Sequence, residues 1–296
     1  MTGADSSEPR PQPAAGFGPG HGIGRPQAPQ PEPLPGVAFD SHCHLDMIDL
    51  PVAQTLEQAA AAGITRVVTV GCDTASSRWA ADCAATFPAV VAAVAIHPNE
   101  TAVAARTPAE RADVLAGIAR LARLPQVRAV GETGLDYYRD NAPPEVQREF
   151  FRAHIDIAKQ AGKPLMIHDR DAHADVLSIL AADGPPEQVI FHCYSGDAEL
   201  AERCAAAGYL LSFAGTVTFG SAGDLRAAAA VTPPELILAE TDAPFLAPAP
   251  NRGRSNTPAQ VAHTIRAIAA VKELDVAKLC AVIEANGQRV FGPWPE

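Results

Sequence analysis

The chain is poor in the features that mark several common protein classes. Its six cysteines (Cys43, Cys72, Cys83, Cys193, Cys204 and Cys280) include no C-x-x-C pair, so they suggest neither a zinc knuckle nor a disulfide framework. They read as reduced, mostly buried thiols. No apolar run approaches the ~20 residues of a membrane-spanning helix, and no charged-then-apolar leader opens the sequence. The expectation is a cytoplasmic protein that does not engage a membrane. Positive charge is scarce: 23 Lys and Arg stand against 34 Asp and Glu, for a formal net charge of -11. That balance argues against broad electrostatic binding of duplex nucleic acid, which relies on many basic contacts to phosphates. Bound divalent cations can nevertheless invert the sign of a locally acidic site. Aromatics make up only 5% of the residues, too few for a continuous platform on which a long single strand would stack.

The 296 residues suffice for one large domain or two ordinary ones. Residues 1–36 carry nine prolines and seven glycines and too little apolar surface to offset chain entropy, so a disordered tail is expected there. Over 37–296 one pattern repeats. Eight apolar, β-rich runs occupy 37–42, 64–71, 90–98, 127–134, 164–170, 188–196, 209–215 and 235–243. Between and after them lie amphipathic, Ala-rich stretches at 51–62, 74–86, 108–123, 145–161, 172–182, 197–207, 222–230, 258–271 and 275–285. Strands that are apolar throughout, each followed by a helix, indicate a parallel sheet covered by helices. Eight such units in roughly 250 residues fit an α/β (β/α)8 TIM barrel. An open doubly wound sheet fits less well, since no G-x-G-x-x-G turn follows the first run.

Metal-ligand side chains stand where these runs stop. The stretch VAFDSHCHLDMID, 37–49, places His42 and His44 two residues apart; in an extended chain such positions share a face, so both imidazoles can aim at one point. Run four carries Glu132, run five His168, run six His192 and run eight Asp242. Parallel barrel strands end at one mouth, so these six residues are expected to meet. Imidazole and carboxylate donors suit zinc, manganese, nickel or magnesium. Six donors without a cysteine exceed what a structural zinc uses, whereas two divalent cations sharing a carboxylate would use them all. Glu132, on the strand between the two groups, is the natural bridge. His97 also closes an apolar run and could face a substrate. Asp40 could orient a ligand histidine from behind. His154, His173 and His263 fall in helical stretches and are expected to be structural or solvent-facing.

The segments DSHCHLD, GETGLDYY, IHDRDA, FHCYSG and ETDAPFLAP followed by NRGRSNTP, with the His97-Pro98 pair, resemble the signature segments of the TatD family of metal-dependent hydrolases. The similarity runs from residue 37 to about residue 292. It implies a TIM-barrel deoxyribonuclease that cleaves phosphodiesters with divalent cations (Mg, Mn, Zn or similar). On this resemblance His42, His44, Glu132 and Asp242 would hold one metal, and Glu132, His168 and His192 the other. One departure stands out: the family commonly has Asn-Glu-Pro where this chain has Asn256, Thr257 and Pro258.

Within that reading Asp242 can both ligate a metal and accept the proton of the attacking water. Arg170 and Arg252 could grip phosphate through paired N–H donors, and Asp136 and Tyr137 shape the site. The expected partner is DNA, as chain ends or short single strands, with no obligate protein partner evident. Two alternatives remain: hydrolysis of a small amide, ester or lactone on the same metals, and a barrel that binds without catalysis. The intact ligand set speaks against the second.

Overall fold

Every residue of β1 (Ala38–Cys43), β3 (Val90–Val94), β6 (Val189–Phe191), β7 (Leu210–Phe213) and β8 (Ile237–Ala239) is buried. This is how strands behave when helices cover one side and a filled barrel interior the other. With β2 (Ile64–Val70), β4 (Val127–Asp136) and β5 (Leu165–Arg170) they form one eight-stranded sheet. Each strand pairs in parallel with the next in chain order. The computed structural model describes residues 25–104 and 107–294, so most of the expected tail, 1–24, lies outside the described residues. Within them, no helix is long and apolar enough to cross a membrane.

The seam between first and last strands is closed at the C-terminal rim. Asp242 N donates to His42 O at 2.9 Å and His44 N to Ala243 O at 2.7 Å. Deeper in, Ser41 Oγ donates to Ala239 O at 3.0 Å. Asp40, fully buried, accepts from the His42 and Thr241 backbone N–H groups at 3.2 and 2.9 Å. Asp40 therefore pins backbone across the seam; its carboxylate bonds the His42 amide, not the ring.

The helices follow from local signals. In α2 (Thr74–Thr86), Asp73 caps the first turn by accepting from Ser76 N at 2.7 Å. In α4 (Pro108–Leu121), Thr107 and Glu110 form a reciprocal capping box. In α7 (Ala198–Ala206), Asp197 accepts from Leu200 N at 2.9 Å; such caps contribute about 1 kcal/mol each. α5 (Pro144–Ala161) stops at Gly162, whose φ of 61° suits a residue without Cβ. α1 (Val52–Ala61), α6 (His173–Asp183), α8 (Gly223–Val231) and α9 (Val261–Val271) fall where amphipathic stretches were expected. A short α3 (Thr101–Ala104) follows the His97-Pro98 turn.

Two segments differ from the sequence expectation. The last helix, α10 (Val276–Phe291), runs six residues past 285. Gly287 does not break it: a Cβ there would lie 2.2 Å from the Phe39 ring, so the glycine lets the helix press onto β1. Residues 25–36, assigned to the tail, lie along the barrel. Their prolines lack donors but offer carbonyls, and Pro26 O, Pro29 O and Glu32 O accept from Ser255 N, Gln260 Nε2 and Arg266 Nη2 at 3.0, 3.0 and 2.8 Å, while Leu34 N donates to Ala62 O at 3.0 Å. Leu34 is buried against the core cluster.

Candidate metal centre

The strand ends bring the six predicted donors together around the two oxygens of Glu132. On one side, His42 Nε2 lies 3.3 Å from His44 Nε2, 3.5 Å from Glu132 Oε2 and 3.7 Å from Asp242 Oδ1. His44 Nε2 is 3.8 and 3.4 Å from the same two oxygens. On the other side, Glu132 Oε1 lies 2.7 Å from both His168 Nδ1 and His192 Nε2, which are 3.4 Å apart. Ligands bonded at about 2.0–2.2 Å to one ion stand roughly 3–3.6 Å from each other; the donor atoms of each group, 2.7–3.8 Å apart in the pairs given, lie within a few tenths of an ångström of that spacing and have the donor chemistry to hold a divalent cation.

Backbone features set this geometry. Glu132 is flanked by glycines that let β4 crowd β5: a Cβ at Gly131 would be 2.5 Å from Met166 Cβ, and one at Gly134, φ +135°, would be 2.1 Å from His168 O. Asp242 leaves β8 with φ 53°, a left-handed conformation that aspartate tolerates better than most residues. Behind the rings, His44 Nδ1 meets Val70 O at 3.0 Å. A carbonyl only accepts, so Nδ1 carries a proton and Nε2 is the atom turned toward the group, available as a ligand once any proton on it is lost.

Charge in the centre is matched by protons on imidazoles. Burial pushes the Glu132 carboxyl up, but the charges of His192 and His97 and hydrogen bonds from His168 and His192 outweigh it and hold it well below its ordinary range. Burial disfavours a charged His192, yet Glu132 and Glu240 raise it well above the usual imidazole value. Burial also raises Asp242, and the His44 hydrogen bond with the charges of His42 and His44 brings it down. Such imidazoles give up their protons when a cation binds.

A cavity of about 400 Å³ opens over the donors, and its walls include Asn99, Arg139, Arg170, Tyr194 and Phe245. Arg170 is brought to it, with Cζ 4.0 Å from the Tyr138 ring centroid. Arg252 is not. It is exposed and sits 4.2 Å over the ring of Phe219, a residue that lines a neighbouring cavity of about 660 Å³, which meets the first at Ser195, Thr216 and Leu225. His97, expected to face substrate, borders the cavity with only 2% of its surface exposed. Its Nδ1 accepts from Asn99 N at 3.0 Å, which leaves Nε2–H to point at Glu132 Oε1, 3.3 Å away. Asn256 donates to Thr241 O at 3.0 Å and braces the turn after β8. Thr257, where the family commonly has glutamate, is buried and not among the residues lining the cavity.

His154 is fully buried on α5. Its Nε2 accepts from Ile96 N at 3.3 Å, so Nδ1 donates to Thr133 Oγ1 at 2.9 Å; the ring ties the residue before His97 to the residue after Glu132. Burial lowers its pKa from 6.5 to about 4. Between those values the unfolded chain binds a proton that the folded protein refuses, so this group's stabilisation is complete above 6.5 and is lost as pH falls toward 4. His154→Gln should flatten the decline of the urea midpoint across that window. An undiminished slope would clear His154 of responsibility for it.

A family model described as TatD related DNase matches residues 39–292. The chain belongs to the TatD family of metal-dependent hydrolases. This TatD-family chain is 46% identical over 262 residues to the uncharacterized metal-dependent hydrolase TatD of Mycobacterium tuberculosis, a match covering 86% of this chain and 97% of the relative. It is 37% identical over 257 residues to the uncharacterized metal-dependent hydrolase YabD of Bacillus subtilis, covering 86% and 98%. Among solved structures, YJJV, a TatD homolog from Escherichia coli, matches with a TM-score of 0.79 at 25% identity, covering 86% of this chain and 98% of that one.

Sequence reasoning did not pick out Glu240, whose Oε1 lies 3.1 Å from His192 Nδ1. A signal was present: an acid at the end of an apolar strand, two residues before Asp242 and so on the same face of an extended segment. The TatD-family signature ETDAPF contains it.

Proposed function

We propose that the protein is a deoxyribonuclease that hydrolyses phosphodiester bonds of DNA with two divalent cations, acting in the cytoplasm on chain ends or short single strands. The observation that carries the reading is Glu132, whose two carboxylate oxygens face two separate donor groups, Oε2 toward His42 and His44 and Oε1 toward His168 and His192. His42, His44, Glu132 and Asp242 would hold one cation, and Glu132, His168 and His192 the other. When bound, such a pair lowers the pKa of a shared water, polarises a phosphoryl oxygen and stabilises the leaving alkoxide.

The remaining work falls to side chains. Asp242, at the cavity wall, accepts the proton of the attacking water while Oδ1 stays beside His44 Nε2. Arg170, held against Tyr138, presents its guanidinium edge to a non-bridging phosphate oxygen. His97 steadies Glu132 from behind, and Arg252 serves a longer substrate through the neighbouring cavity. The six free thiols accord with a reducing compartment.

Incubating the purified protein with a single-stranded oligonucleotide and Mg, Mn, Co or Zn should shorten the strand with at least one of them. Intact strands under all four metals, together with turnover of a small ester, amide or lactone, would replace this reading with the small-substrate one.

A further inference from the structure

The protein backs its metal-facing imidazoles unequally. In the group at Glu132 Oε2, the rear nitrogens rest on neutral acceptors: His44 Nδ1 on Val70 O at 3.0 Å and His42 Nδ1 on Met166 Sδ at 3.2 Å. In the group at Glu132 Oε1 both rear nitrogens meet carboxylates. His168 Nε2 lies 3.3 Å from Asp136 Oδ2, and His192 Nδ1 lies 3.1 Å from Glu240 Oε1.

Neither carboxylate is free to move. Asp136 Oδ1 accepts from Tyr138 N at 3.0 Å and Arg139 N at 2.9 Å, and Oδ2 also takes Asn99 Nδ2 at 2.9 Å. Glu240 is fully buried, and its Oε1 also accepts from Cys193 N at 2.7 Å. Its Oε2 is buried with no hydrogen-bond partner among the described residues. Among the described residues, the His192 ring is thus the side chain that Glu240 meets within hydrogen-bonding distance.

The asymmetry answers a deficit. The Oε2 group has four donors, with Asp242 as a second carboxylate; the Oε1 group has three, and its one carboxylate is shared. We infer that Asp136 and Glu240 are positioning residues for the cation at Glu132, His168 and His192: each fixes the tautomer and plane of one ligand ring and supplies, one hydrogen bond away, the negative charge which that group lacks. Affinity at this site therefore depends on the two backing carboxylates, and affinity at the other does not. The inference rests on the two-cation reading above.

Equilibrium dialysis of the chelator-stripped full chain against increasing Mn2+, with bound manganese counted by mass spectrometry, tests it. The parent chain should bind two Mn2+. Asp136→Asn, at the end of β4, and Glu240→Gln, just past β8, should each keep one Mn2+ at parental affinity and bind the second about 10–100-fold more weakly. Thermal unfolding of the stripped proteins serves as the control, because a merely structural defect lowers that midpoint and weakens both cations together. Combining Glu240→Gln with Asp242→Asn should weaken both sites, since the two changes fall in different groups. Two cations bound by both single variants as tightly as by the parent, or equal weakening of both sites, overturns the positioning role alone. Fewer than two Mn2+ on the parent chain overturns the two-cation reading beneath it.

Discussion

Replacing Glu132 by Gln should, on the two-cation nuclease proposal, lower bound metal from two ions per chain to at most one and cut oligonucleotide turnover by about 10²–10³-fold or more, at least the cost of losing one electrostatic stabiliser. The side chain keeps its size and its place between Gly131 and Gly134, so the backbone has no reason to move. What changes is symmetry. A carboxylate offers a lone pair on each side, whereas an amide presents an oxygen to one group and an N–H donor to the other. His42 and His44 on one flank, and His168 and His192 on the other, both lie within 4 Å of this side chain; an amide can serve only one pair. Metal content by mass spectrometry and turnover on a labelled oligonucleotide measure the two effects. Two retained ions with parental turnover would mean that Glu132 bridges nothing.

The second large effect is expected at Asp242. Asparagine shares aspartate's tolerance for φ near the observed 53°, and the seam bond from the residue's backbone N–H to His42 O needs no carboxylate. Asp242→Asn should therefore fold normally. It should lower kcat by about 10²–10⁴-fold, the range for loss of a positioned proton acceptor, with a much smaller change in KM. The cation held by Glu132, His168 and His192 should stay bound. If Asp242 were a ligand alone, raising the metal concentration would refill the weakened site and restore the rate. Persistent loss at saturating Mn2+ is the outcome expected of a base, and full recovery would remove that role.

The barrel was legible because its strands are apolar on both faces, a pattern a half-exposed sheet does not produce. The meeting of these six residues at one rim was legible because a histidine or acid ending such a run has few structural reasons to be there. Other features needed three dimensions. Sequence places Asp136 near the site and Glu240 on the face of Asp242, but only coordinates show which ring nitrogen each carboxylate meets. His97 ends an apolar run like the ligands do, yet the Asn99 amide turns its proton toward Glu132 rather than toward the cavity. Arg252 lies ten residues past Asp242, and the course of that loop carries it to Phe219. Composition marked residues 25–36 as unable to pack, but it does not register that proline carbonyls can satisfy Ser255, Gln260 and other donors on the barrel wall.

The bonds that join His42 to Asp242 and His44 to Ala243 also bear on how the protein comes into being. A ribosome delivers the N-terminal half of the donor set long before its counterpart, and the staves of the cask close only when residues 237–243 emerge. A nascent polypeptide stalled before that point lacks Glu240 and Asp242 and the backbone bonds that tie this segment to His42 and His44, so the full donor set would arrive late in translation, together with completion of the fold.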